Sequence, residues 1–192
     1  LFEPNPDDAD AITDLDIRPL FEDSDGFLRV ATNTGGLNRL DPQTSRFSHF
    51  RHRQNDPATI SQDSVYGMAE GADGHPWAGT QIGLNRIDRA GQRIIRRYFN
   101  DPENPASLVH DYVFSVYRDR QDVIWVATIE GGLNRYNAAT DNFSRFDLAV
   151  ATDVGVCCCK AVDFVLVLAA PEPAGRAVER YAYPQNRCAR ET

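Results

Sequence analysis

The chain has 192 residues, of which 42% are hydrophobic and 25% charged, a balance that suits a folded globular protein and not a disordered one. Its 28 acidic against 20 basic residues give a net charge of −8, the wrong sign for wrapping a phosphate backbone, so nucleic acid is not an expected partner. The longest apolar run, Phe164 to Ala170, is far below the roughly 20 residues that cross a bilayer, and no membrane span is expected.

The first twenty residues carry Asp7, Asp8, Asp10, Asp14 and Asp16 where a secretory leader would place basic and then apolar residues, so no signal peptide is legible. From there the sequence repeats three times with a period of 48: Ile12, Ile60 and Leu108, then Ile17, Val65 and Val113, then Thr32, Thr80 and Thr128. The same spacing relates Phe47, Ile95 and Phe143, and Phe50, Tyr98 and Phe146. Gly36-Leu37-Asn38-Arg39 recurs as Gly83-Leu84-Asn85-Arg86 and Gly132-Leu133-Asn134-Arg135, with the second copy one residue short before its Gly, which places that length change in a turn.

Within each copy, short apolar runs separated by Gly, Asp, Asn and Pro predict four strands joined by tight turns. In the first copy these are 16–21, 27–32, 37–40 and 46–50; in the second, 64–69, 76–80, 84–87 and 93–99; in the third, 112–117, 123–128, 133–136 and 142–146. Asp25-Gly26 and Asp73-Gly74 supply the positive φ that a hairpin needs, and Asp41-Pro42 opens the following turn with a preset φ, whereas Gln121-Asp122 is a weaker signal. A single twisted four-stranded sheet has two apolar faces and must be covered on both, so its repetition predicts an all-β fold, a partial β-propeller of three four-stranded antiparallel blades. The blades are expected at about 5–52, 53–100 and 101–146. Three are fewer than the roughly 4 to 8 that close a ring, so the chain is expected to be a fragment or unstable by itself.

These residues resemble the two-component regulator propeller repeats of bacterial membrane-bound signalling proteins. The third copy carries Trp125, Thr128, Gly131, Gly132, Leu133, Asn134 and Arg135. The second keeps Asp73, Gly74, Trp77, Gly79, Thr80, Gly83 and Leu84, and the first has Arg29 where the others have Trp. The family's segment between blades is similar to Asn55-Asp56-Pro57-Ala58-Thr59-Ile60 and to the stretch from Asn100 to Leu108. The resemblance implies a sensing region outside the cytoplasm, periplasmic or extracytoplasmic. It also implies a parent that is a sensor histidine kinase or a diguanylate cyclase, with further blades and signalling domains as partners. Carbohydrate or another small ligand is implied, and a homodimer of the parent is compatible with it.

Periodicity stops at about residue 147. The tail, 147–192, holds all four cysteines, three of them adjacent at Cys157, Cys158 and Cys159, and reads as a non-repeat, frame-changed or disordered segment. That spacing does not supply a metal site, and no cofactor is expected.

Trp77 and Trp125 could offer stacking platforms to a sugar, but their fixed place in the strand template assigns them to packing between blades. Thr32, Thr80, Thr128, Gly36, Gly83 and Gly132 are likewise structural repeat positions. Ligand-reading residues are expected where the copies disagree, on loops around the central mouth. These are Asn33, Thr34, Gln81 and Glu130 between the second and third strands, and Gln62 and His110, with Asp14, on the segments joining blades. His49 and His52, three apart on a strand, are expected at the surface. No catalytic motif is legible, so the leading expectation is a non-catalytic ligand-sensing module. A carbohydrate-active propeller enzyme, glycosidase or lyase, and a protein-interaction scaffold are the alternatives.

Overall fold

The computed structural model describes residues 2–5, 7–129 and 131–146, so the expectations for Glu130 and for the tail lie outside the described residues. The described chain is all-β. Twelve strands run β1 (Ile17–Glu22), β2 (Leu28–Thr32), β3 (Leu37–Asp41), β4 (Arg46–Phe50), β5 (Val65–Glu70), β6 (Pro76–Thr80), β7 (Leu84–Ile87), β8 (Ile94–Tyr98), β9 (Val113–Arg118), β10 (Ile124–Thr128), β11 (Gly132–Asn137) and β12 (Asn142–Phe146). They form three four-stranded antiparallel sheets in simple meander order, β1 to β4, β5 to β8 and β9 to β12, each a blade. Neighbouring blades touch mainly through their first strands, β1 with β5 and β5 with β9, and these strands therefore lie nearest the common axis.

Gly26 and Gly74 take φ of +82° and +74° in the first hairpin of their blades, and Asp122 occupies the equivalent place at +65°. The third copy therefore makes the same turn with a residue that tolerates the left-handed region, despite its lack of glycine. Trp125 Nε1 donates to Asp119 Oδ2 of that turn at 2.7 Å. In the first blade Arg29 stands in the Trp position and donates from Nε to Asp23 Oδ2, also at 2.7 Å. The guanidinium repeats the indole's hydrogen bond, and both charges of the pair are buried.

The template Asn residues fasten each blade to the segment that enters it. Asn85 Oδ1 accepts from the Ser61 amide at 3.0 Å while its Nδ2 donates to the Ala78 carbonyl. Asn134 does the same between Val109 and Val126. Asn38 accepts from Thr13 and faces Val30. Successive blades are joined by Gly36 and Gly83, whose amides donate to the Asp63 and Asp111 carbonyls of the next entering segment at 3.1 and 2.7 Å. Both glycines have positive φ, and a Cβ on Gly83 would come within 2.6 Å of the Tyr98 carbonyl oxygen.

Two expectations require correction. Ile95 is exposed, and Ile94 packs inward instead. The second copy, one residue short in its β6–β7 turn, recovers its register through a bulge in β8, where Ile87 pairs with Ile94 and Arg86 with Arg96. His49 and His52 are half-buried and not free surface residues: His49 bridges Asn38 Oδ1 and the Ala9 carbonyl, and His52 Nδ1 bonds the Ile60 carbonyl. In the other blades Arg97 and Arg145 hold the same carbonyl-rich segment at the position of His49.

Candidate functional site

The loops and joining segments singled out above gather at one end of the first strands. The amides of Asn33, Gln81 and Ile129 donate to the carbonyls of Asp16, Ser64 and Tyr112, the residues immediately before β1, β5 and β9. Thr34 donates from its amide and its hydroxyl to Asp14 Oδ2, at 2.8 and 2.7 Å. The Asp16 amide first of all, and then these Thr34 groups, hold the Asp14 carboxyl below the ordinary carboxylate range. Asp14 is therefore an ionised anchor for the loop and is unsuited to act as a general acid near neutral pH. Gln62 folds its Oε1 onto the amide of Asp63 at 2.8 Å, His110 Nδ1 accepts from the Tyr112 amide at 2.9 Å, and Gln81 is exposed. Thr32, Thr80 and Thr128 close the same loops by donating to the carbonyls of Gly36, Gly83 and Gly132. Each predicted polar residue is thus placed within its own blade, and only Asp14 and Thr34 meet directly among those described.

The group that does cross blades was not singled out from the sequence. Every first strand carries a β-bulge at the same template position. In β5, Val65 pairs with Thr80 and Gly67 with Gly79; in β9, Val113 pairs with Thr128 and Ser115 with Ala127; in β1 the register shifts between Ile17 and Leu20. Tyr66 and Phe114 are the bulged residues, and Arg18 lies in the corresponding irregularity. A bulge releases a residue from the ladder and re-aims its side chain. The Arg18 guanidinium stands 5.2 Å from the centre of the Tyr66 ring. Tyr66 in turn lies 5.1 Å from Tyr112 and stacks at 6.3 Å and 27° on Phe114. Burial, and then the neighbouring Tyr66 hydroxyl, push the Tyr112 phenol up to about 12, so it remains a neutral hydrogen-bonding group. An Arg–Tyr–Tyr–Phe run thus crosses all three blades next to the loop cluster. Positions 18, 66 and 114 are 48 apart and carry three different residues, so the disagreement between copies that pointed to the loops also marks this strand position.

This arrangement offers aromatic faces, two phenols and the guanidinium of Arg18, which also pairs with Asp16 at 3.1 Å, at one mouth, a set that can hold a ring bearing hydroxyl groups. A second cleft of about 520 Å³, lined by His49, Arg51, His52 and Asp63 among others, is less suited. His49 and His52 already bond the joining segments, and Arg51 spends its guanidinium on the Thr34 carbonyl and Asp63.

Comparison with known proteins agrees with this architecture. Residues 107–130 match the family model described as two component regulator propeller. The extracellular domain of BT3049 from B. thetaiotaomicron, named as a hybrid two-component system, is 25% identical with a TM-score of 0.61 over 72% of this chain and 19% of that one. Virginiamycin B lyase from Staphylococcus aureus is 16% identical with a TM-score of 0.54, over 72% of this chain and 43% of that one, and shares the fold alone. U3-55K, at 16% identity and a TM-score of 0.54 over 68% of this chain and 38% of that one, likewise shows only the shared architecture. No curated protein matches the chain. The chain spans about a fifth of the length of the two-component relative. Among the described residues no helix is long and apolar enough to cross a membrane. The segment 107–130, in the third repeat, is similar to the two-component regulator propeller model, and the three four-stranded sheets are blade-like, as in the propeller of the two-component relative.

Proposed function

We propose that this chain is a non-catalytic, ligand-sensing section of a larger bacterial two-component signalling protein, working on the extracytoplasmic side, and that its ligand is a carbohydrate held at the axial mouth. The carrying observation is the run of Arg18, Tyr66, Tyr112 and Phe114 across the three first strands, which places stacking faces, phenols and a cation side by side. Similarity to an extracellular domain of a two-component protein supports the setting. A sensor must bind one arrangement of its blades better than another, because only differential affinity can shift a conformational equilibrium. The run suits that requirement: each ring leans on the neighbouring blade, so a ligand seated on it bears on how blades sit against one another.

A glycan-binding screen on the full chain tests this reading, followed by calorimetry on any sugar that binds. The expected result is binding without turnover, weakened about tenfold or more in Tyr66→Ala, since losing a stacked ring costs on the order of 1 kcal/mol beyond its contact area. Turnover of the sugar would replace the sensor with the carbohydrate-active alternative. Binding indifferent to Tyr66→Ala and Arg18→Ala would remove the ligand from this mouth, and no binding by any glycan would overturn the carbohydrate assignment.

A further inference from the structure

The segment that enters each blade runs beside that blade's fourth strand, where the amides of Phe47, Ile94 and Phe143 donate to the carbonyls of Asp10, Ala58 and Ala106. One template position holds it there. In the second and third blades the holder is an arginine: Arg97 donates to the carbonyls of Asp56, Thr59 and Ile60, and Arg145 to those of Asn104, Ser107 and Leu108. In the first blade, 48 residues earlier, the position is His49. Its Nδ1 lies 2.9 Å from Asn38 Oδ1 and its Nε2 lies 2.9 Å from the Ala9 carbonyl oxygen. Neither partner can donate, because the Thr13 amide donates to the same Asn38 atom at 3.2 Å and so fixes it as the side-chain oxygen. A neutral imidazole has one N–H and would turn a lone pair towards one of these oxygens; only a ring with a proton on each nitrogen donates to both. The other three histidines differ. His52 and His75 meet a carbonyl through Nδ1 alone, and His110 Nδ1 accepts from the Tyr112 amide.

We propose that His49 is a doubly protonated clamp on the entering segment of the first blade, a pH-sensitive fastening where the other two blades carry the permanent charge of an arginine. Loss of one ring proton sets two acceptors face to face in place of a charge-assisted hydrogen bond, and residues 9–13 loosen. The folded blade favours the charged ring, so the clamp stabilises at low pH and its contribution is lost as the pH rises. The segment carries Ile12, which is buried with Val30 and Phe47, and Thr13, whose hydroxyl donates to the Gly35 carbonyl beside the loop that Asp14 and Thr34 tie together. Release therefore acts on the packing of the first blade and on one loop of the mouth. Arg51, His52, Arg53, Asp56 and Asp63 line the cleft shared with the ring, Arg51 being paired with Asp63. On the entering segment Asp8 and Asp10 flank Ala9, and Asp10 pairs with Arg46 at 2.8 Å. Of these only His52 is of a type that changes charge between about pH 5 and pH 8.

Amide hydrogen exchange on the full chain, compared at about pH 5 and about pH 8 as protection factors, reads the clamp. Protection of the Thr13 amide, bound to Asn38 beside His49, should fall roughly tenfold, the effect of losing one hydrogen bond to a charged group. The amides of Ser61 and Val109, bound to Asn85 and Asn134 in the blades held by arginine, should keep theirs. Nitrogen-15 shifts of the His49 ring should show both nitrogens protonated at the lower pH. In His49→Arg, Thr13 should stay protected at both. Unchanged protection of Thr13 in the unsubstituted chain, or a singly protonated ring at the lower pH, overturns the proposal, and neither reading needs the variant to fold. A fall at Thr13 that His49→Arg reproduces overturns it as well, because His52 or another group would then be its source. No ligand enters these measurements, so their outcome is independent of the glycan screen.

Discussion

Replacing Asp23 with alanine is expected to destabilise the protein by roughly 3–5 kcal/mol, read as a shift in urea midpoint at unchanged slope. The Arg29 side chain is 1% exposed, and its guanidinium is held by Asp23 Oδ2 at 2.7 Å and by the Arg89 carbonyl at 2.6 Å. Without the carboxylate a full charge remains buried between the first and second blades. Burial already draws Arg29 below the ordinary guanidinium range, and Asp23 is the chief opposing influence. The companion variant Arg29→Trp should be neutral to within about 1 kcal/mol or stabilising, since a buried ion pair is commonly no better than a well-packed apolar replacement. Here the replacement exists in the same chain: Trp125 donates to Asp119 in the equivalent geometry. A cost below about 1 kcal/mol for Asp23→Ala would show that the pair is hydrated and the first two blades are not in close contact there.

Trp77→Ala should cost a similar amount, about 3–5 kcal/mol, as a large buried ring is removed from a site walled by two blades. Trp77 lies 4.7 Å from Tyr136 of the next blade and stacks at 5.5 Å and 17° on Tyr98 of its own. Trp125→Ala removes the same residue type from the same template position. It should cost no more than about half as much, because Trp125 is only half-buried whereas Trp77 is 2% exposed. Equal costs would mean that burial of this column does not come from blade stacking. Thermal unfolding of the three proteins side by side decides between these outcomes.

Much of the fold was legible because the period is long and its markers are physical requirements. Gly36 and Gly83 must turn with positive φ beneath a carbonyl, and Asn85 and Asn134 must satisfy two buried backbone groups at once, so these residues recur in every copy. What escaped the sequence involved substitutions that preserve geometry with different chemistry. Arg29 reads as a lost Trp until its Nε is seen on Asp23, and Asp122 reads as a weak turn until its φ is known. The bulge at Ile95 was hidden because a deletion in the β6–β7 turn and an insertion in β8 restore the 48-residue spacing without restoring the strand's facing. The candidate site was half legible: the disagreement between copies pointed to Thr34, Gln81 and His110, which lie at the same end of the blades as the aromatic run. Arg18, Tyr66 and Phe114 were passed over because residues within strands were read as packing, and only the backbone register shows that a bulge frees them.

The account stands on neighbouring sheets shielding one another's apolar faces, and proton–proton Overhauser contacts in the isotope-labelled chain test that most directly. Cross-peaks are predicted between the rings of Trp77 and Tyr136 and between those of Tyr98 and Phe143, pairs from different sheets whose centroids are 4.7 and 5.3 Å apart. A dispersed spectrum of a folded chain in which strand pairing within each sheet is intact but both cross-sheet contacts are missing would contradict it.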